Sequence, residues 1–161
     1  MPKKRKLSAA DKSFASLAGE FSVTSHLCRM KIHASVTYGA SKRSDIIAVS
    51  KDRKKIAVIE VKSSAKDEWP VTDARGRKGF YHVGKFWVFV RLGAGVQPNE
   101  FYILDHKEVR AILTGANRIY QRKHKATHGV LATAKGVPKI KLAKVAASKN
   151  QWTKIRSYLM P

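Results

Sequence analysis

Asp45, Glu60 and Lys62 are the side chains of this sequence whose types and spacing could do chemistry. They lie in the stretch SDIIAVSKDRKKIAVIEVK, residues 44–62. Residues 46–49 and 56–61 are β-branched and apolar while residues 50–55 are not, a pattern that predicts two short strands joined by a charged turn. Alternation along the second strand puts Val58, Glu60 and Lys62 on one face and Ala57, Ile59 and Val61 on the other. If the first strand pairs alongside, Asp45 at its start comes near Glu60, and two carboxylates and one ammonium share a small volume. Clustered carboxylates repel unless a cation lies between them, and oxygen ligands of this kind suit Mg²⁺. A bound Mg²⁺ with its waters is equipped to cut a phosphodiester.

The elements that must position these groups precede them. From Ser8 or Ala9 to about Met30 the pattern is helical, with Phe14, Leu17, Phe21, Thr24, Leu27 and Cys28 in one arc and Asp11, Ser22, His26 and Arg29 on the other side. Glu20 projects between Leu17 and Leu27, inside the apolar arc. A buried carboxylate costs roughly several kcal/mol unless it is paired or bound to a metal. A salt bridge to a core-facing lysine is the structural reading; an acidic ligand of the same site is the functional one. Residues 32–38 (IHASVTY) alternate as a strand, and Gly39-Ala40-Ser41 breaks it before Lys42 and Arg43, which could hold a phosphate near the metal.

The order is then helix, strand, strand with Asp, strand with Glu-x-Lys. In these residues, Asp45 followed by Glu60-Val61-Lys62, the chain resembles the PD-(D/E)xK nuclease superfamily, which includes restriction endonucleases and archaeal Holliday-junction resolvases. Ser44 stands where the name-giving proline would be, and no glutamine follows Lys62 on a next helix. The run Ala18-Gly19-Glu20-Phe21-Ser22-Val23 is similar to the first helix of resolvase-like members, whose glutamate completes the acidic cluster. The order EVKSS, WPV, FWVFVRL, FYIL and a capped helix also resembles a group of small uncharacterised proteins of this superfamily, and the likeness spans roughly residues 18–113. The resemblance implies that Asp45, Glu60 and the backbone carbonyl of Val61 hold metal, with Glu20 a further ligand directly or through water, and that Lys62 orients or deprotonates the attacking water. It implies Mg²⁺ as cofactor, with Mn²⁺ able to substitute.

Beyond Lys62, residues 63–77 read as a polar loop, closing on the glycine-punctuated basic run that contains Arg75, Arg77 and Lys78, suited to approach a phosphate chain. Trp69 beside Pro70 reads as a packing anchor. Residues 86–92 (FWVFVRL) and 101–104 (FYIL) read as core strands. Asp105 with Glu108 three residues on forms a capping box for a helix whose apolar face is Val109, Ile112 and Leu113. From Gly115 onward the pattern weakens. His124 and His128 have metal spacing on a helix, but no Cys, Asp or Glu lies near in sequence to complete a zinc site. Ser148 is placed to cap a last helix with the packing stripe Trp152, Ile155 and Leu159.

Lys and Arg number 33 against 11 acids, a formal charge of +22, which implies a polyanionic partner. From Val109 to the end there is no acid at all. Nucleic acid is favoured over a membrane, because no basic amphipathic helix with bulky apolar anchors is present and no apolar run reaches the roughly 20 residues of a span. The lone Cys28 excludes an internal disulfide and fits a reducing compartment. Residues 1–7 (MPKKRKL) read as a disordered basic arm, a nuclear-targeting signal in a eukaryotic host and a phosphate-binding tail in a cytoplasmic, nucleoid-associated prokaryotic or viral one. The expected architecture is one α/β domain over residues 8–161, a restriction-endonuclease-like core with a central mixed β-sheet of four or five strands flanked by helices and a basic C-terminal extension from about residue 115. The expected activity is Mg²⁺-dependent hydrolysis of DNA, branched or linear, with a homodimer if both strands are cut at one place. The rival is a nucleic-acid-binding protein on the same fold without catalysis.

Overall fold

Ser8 opens helix α1 (Ala9–Arg29) through a capping box: its hydroxyl accepts the Asp11 N–H at 3.0 Å, and the Asp11 carboxylate accepts the Ser8 N–H at 3.0 Å. The computed structural model of the chain describes residues 8–38, 44–71, 84–133 and 137–160. After α1 come strands β1 (His33–Val36), β2 (Ile46–Val49), β3 (Ile56–Ser64), β4 (Glu68–Pro70), β5 (Gly84–Arg91) and β6 (Glu100–Asp105). Helix α2 (His106–His128), strand β7 (Lys139–Lys141), two 3₁₀ turns and helix α3 (Thr153–Leu159) follow.

Five strands form a sheet in the order β1-β2-β3-β5-β6, in which β3 and β5 are parallel and every other pair is antiparallel. The fold is therefore α/β with a mixed central sheet and helices on both faces. Alternation along β3 sorts its side chains between two cores. Ala57, Ile59 and Val61 join Val23 and Leu27 of α1 and Trp152, Ile155 and Leu159 of the C-terminal segment. On the other face Trp87 and Phe89 of β5 meet Trp69, Tyr102, Val109 of α2 and Ile140 of β7. Glu60 and Lys62, out of phase with Val61, stand on this second face.

Helix α1 is turned differently from the expected arc. Its buried residues are Gly19, Glu20, Val23 and Leu27, whereas Phe14 is 71 % and Phe21 50 % exposed and Cys28 faces solvent. Backbone approach decided the phase. At Gly19 the helix lies so close to β3 that a Cβ would stand 1.7 Å from Ser63 Oγ and 2.9 Å from Ser63 Cβ. His26, expected outside, stacks on Trp152 with ring centroids 4.2 Å apart.

Further differences concern the chain after β3. Residues expected as a loop contain β4, which pairs with β7 (Trp69 opposite Ile140), and Trp69 is fully buried with its indole N–H donating to the Val90 carbonyl at 2.9 Å. The capping box at Asp105 and Glu108 is present, and α2 continues through the weakly patterned stretch after Gly115 to His128 and stops at Gly129, whose φ of 73° suits glycine. Residues 139–160 are no appendage, because β7 and α3 complete the two cores. Ser148 lies in a 3₁₀ turn and does not cap α3, whose N-terminus follows Trp152 without a side-chain cap. The expected arm, residues 1–7, lies outside the described residues. No helix among the described residues is long and apolar enough to cross a membrane.

Candidate active site

β2 and β3 pair from Val49 opposite Ile56 to Ile46 opposite Ile59; β2 ends there and β3 runs on to Ser64. Past that point the β2 edge of β3 is open, and Asp45, one step before β2, stands at the mouth of the notch opposite Glu60. The Asp45 N–H continues the ladder to the Ile59 carbonyl at 3.1 Å, while its carboxylate Oδ2 accepts the Val61 N–H at 2.7 Å. A carboxylate thus takes the place of the next strand residue. Because a residue's N–H and C=O point to the same edge of its strand, the Val61 carbonyl also faces the notch. β1 holds this end from outside: Thr37 N–H donates to the Asp45 carbonyl at 2.9 Å, and the Thr37 hydroxyl donates to the Ser44 carbonyl. Asp45 is only 9 % exposed.

Glu60 and Lys62 follow on the α2-side face. Lys62 Nζ donates to Glu60 Oε1 at 2.6 Å, and both side chains keep a window to solvent, 24 % and 19 % exposed. The register puts Trp87 beside Glu60 and Phe89 beside Lys62, and Lys62 Nζ lies 5.9 Å from the centroid of the buried Trp87 ring. An apolar floor of this kind lowers the local dielectric and strengthens every charge interaction above it.

Glu20 lies on the other face of the sheet, on the helix that seats Gly19 against Val61 and Ser63. It is 2 % exposed and accepts a hydrogen bond from the Ser16 hydroxyl at 3.1 Å. Asp45, Glu60, Lys62 and the Val61 peptide thus share one strand end, whereas Glu20, expected to converge with them, stands on the α1 side of the sheet, opposite the face of Glu60 and Lys62. Among the described residues no group of three or more His, Cys, Asp or Glu side chains is gathered closely enough to hold a metal ion. Two carboxylates and a carbonyl still match the chemistry of Mg²⁺, which keeps most of its waters and takes one or two protein carboxylates.

Lys42, Arg43, Arg75, Arg77 and Lys78 lie outside the described residues. His124 and His128 have ring centroids 4.4 Å apart on α2, and His124 Nδ1 sits 2.9 Å from the Val130 carbonyl; among the described residues neither an acid nor a cysteine joins them. Two residues by the site escaped the sequence reading: Trp87, hidden in an apolar run, and Lys85, whose ammonium lies 5.5 Å from the same ring. Their alternation with Phe86 and Val88 was the available signal.

No protein-family model matches the chain, and no curated protein matches it. Among solved structures it is similar to the 1.6 Å structure of Hjc from Archaeoglobus fulgidus, a Holliday junction resolvase from an archaeal hyperthermophile, with 11 % identity, a TM-score of 0.43, and coverage of 78 % of this chain and 89 % of that one.

Proposed function

We propose that the protein is a Mg²⁺-dependent endonuclease of the PD-(D/E)xK type that hydrolyses DNA, with Asp45, Glu60 and Lys62 as its catalytic residues. The observation that carries this reading is the Asp45 carboxylate, set opposite Glu60 and bonded to the Val61 N–H at 2.7 Å where the β2–β3 ladder ends. A buried acid at that place, beside a second acid and a lysine, serves no packing need. The charge of +22 supplies the attraction to a polyanion that two carboxylates would otherwise repel.

Asp45, Glu60 and the Val61 carbonyl would hold the metal, with Glu20 a further ligand directly or through water, and Mn²⁺ would substitute. The metal, when bound, supplies an activated water and neutralises phosphate charge. Lys62 orients that water or takes its proton and steadies the developing charge on the phosphate; its compact ammonium suits each task. The contact of Lys62 with Glu60 at 2.6 Å keeps the ammonium at the strand end before substrate arrives. Phosphate contacts position a strand without reading its sequence, so the substrate is defined by shape, with branched DNA the case to test first. Cutting both strands at one place calls for two copies.

The test is incubation with plasmid, linear and four-way-junction DNA in Mg²⁺, Mn²⁺ or EDTA. Cleavage is expected with either metal and none in EDTA. Asp45→Asn retains an oxygen to accept the Val61 N–H, so it should fold normally and lose cleavage, as should Glu60→Gln and Lys62→Met. Glu20→Gln keeps the side chain's size and reports on its charge alone. A Asp45→Asn protein that cuts at the parent rate removes the metal site and leaves the rival, a DNA-binding protein without catalysis, a reading also consistent with the lack of a third gathered acid among the described residues.

A further inference from the structure

Helix α2 crosses the same face of the sheet that carries Glu60 and Lys62. Val109 is fully buried, and Ile112 and Leu113 pack on the Trp69–Trp87 cluster. At about 100° per residue the side facing away from that core carries Lys107, Arg110, Thr114, Arg118 and Lys125. Ala111, Thr114 and Gly115 are small, and between the long side chains they leave an open trough of about 500 Å³ rimmed by Lys107, Arg110 and Arg118, with His106 at its head.

Cations connect the trough to the candidate site. Lys62 and Lys85 approach one ring, that of Trp87, at 5.9 and 5.5 Å. Beyond Lys85 stands His106, whose pKa lies below the ordinary value first because of burial and then because Lys85 and Arg110 repel its proton, with Asp105 opposing. Among the described residues these charges are not matched. Lys62 holds Glu60, Arg91 holds Asp67 and Glu100, and Lys139, Lys149 and Lys154 hold Glu68, Glu100 and Glu108, while Asp105 is engaged in the α2 cap. Among the described residues Lys85, Arg110 and Arg118 have no ion-pair partner. A helix face that merely meets water is steadied by acid–base pairs at i,i+4, and like pairs such as Arg118–Arg122 cost about 0.2–0.5 kcal/mol. From Val109 to His128 α2 has no acid, and among the described residues no carboxylate pairs with this face, which leaves it open to negative charge brought by a ligand.

We propose that the α2 trough is a second phosphate-binding subsite, which takes the backbone of the DNA flanking the scissile bond, with Lys85 as the link to the candidate metal site. Arg110 and Arg118 are separated by about 12 Å along the helix axis, roughly three nucleotide steps of one strand, which suits a polymer rather than a single phosphate. The proposal rests on the nuclease reading only for where the scissile bond lies; the phosphate contacts are independent of chemistry.

The experiment is the salt dependence of binding, in EDTA, of the full chain to a duplex of about 30 base pairs and to a four-way junction. Each lost phosphate contact lowers the log–log slope by about 0.9, so Arg110→Ala/Arg118→Ala should lower it by about 1.8 and Lys85→Ala by about 0.9. The control pair Lys51→Ala/Lys54→Ala removes equal charge from the exposed turn at the other end of β3 and should leave the slope as it was. Thermal melting of each variant at the parent temperature establishes that folding is intact. An unchanged slope in the Arg110/Arg118 pair overturns the subsite, as does an equal fall in the control pair, which would show that only overall charge matters. Loss of the slope effect with cleavage still abolished by Asp45→Asn sinks the subsite alone; a normal slope effect with Asp45→Asn still cutting sinks the nuclease reading alone.

Discussion

Gly19→Ala adds one methyl group where α1 and β3 already touch. The new Cβ would stand 1.7 Å from Ser63 Oγ, 2.9 Å from Ser63 Cβ and 3.5 Å from Val61 Cγ1. The hydroxyl can rotate away. Ser63 Cβ is fixed to the backbone of β3, so carbon–carbon contact at an ordinary separation requires the helix to lift by roughly 0.5–1 Å. Alanine gains about 1 kcal/mol over glycine in a helix interior, and forcing extra volume into a packed seam costs about 1–3 kcal/mol. The clash therefore sets the sign, with a net loss of up to about 2 kcal/mol, or a fall of up to about 8 °C in Tm for a domain of this size. Ser63→Gly removes both obstructing atoms, and its Oγ is buried without a hydrogen-bond partner, so nothing is left unsatisfied. In the double variant the clash is gone and the helical preference for alanine remains, so Gly19→Ala should be neutral or stabilising in that background. Thermal and urea unfolding of the four proteins in this cycle give the coupling directly. If Gly19→Ala costs as much in the Ser63→Gly background as in the parent, so that the cycle shows no coupling, α1 is not seated on Ser63.

Trp69→Phe leaves the buried Val90 carbonyl without the indole N–H that bonds it at 2.9 Å, and urea unfolding should show a loss of about 1–3 kcal/mol. Glu100 is held down to a pKa of about 2 by Lys149 first, then Tyr102 and Arg91. A carboxylate whose folded pKa is depressed adds stability above its unfolded value near 4.5 and loses it as pH falls toward about 2, so Glu100→Gln should flatten the acid limb of Tm against pH in that window. Gly115→Ala meets nothing within 4 Å, and its gain of about 1 kcal/mol in helix preference should slow amide exchange along the middle of α2.

The strand pair carrying Asp45, Glu60 and Lys62 could be read from sequence because alternation is a strict period and β-branched residues mark it; β2 falls on residues 46–49 as expected. The tilt of α1 could not. Its seat is a glycine, invisible to any hydropathy pattern, and the phenylalanines that define an apolar arc at Phe14 and Phe21 face solvent. The second half of α2 has no buried residue, hence no periodic signal, and the helix continues past Gly115 on its own backbone hydrogen bonds. β4 and β7 are three residues each and far apart in sequence, and such a pairing leaves no local mark beyond the anchor Trp69.

Synthesis makes α1 long before α3, although the two share one core. At about 5–20 residues per second, roughly 6 to 25 s separate Leu27 from Ile155 on the ribosome. In that interval Val23, Leu27 and His26 lack Trp152, Ile155 and Leu159, so the seam between α1 and the sheet is unsealed. The other face gains Val109 first and is completed by Ile140 and Val145, still ahead of α3, and the basic side of α2 exists before the α1 seam is sealed. A nascent chain therefore acquires its attraction to nucleic acid before its last apolar contacts, and a chain stalled between α2 and α3 holds the charge without the closure.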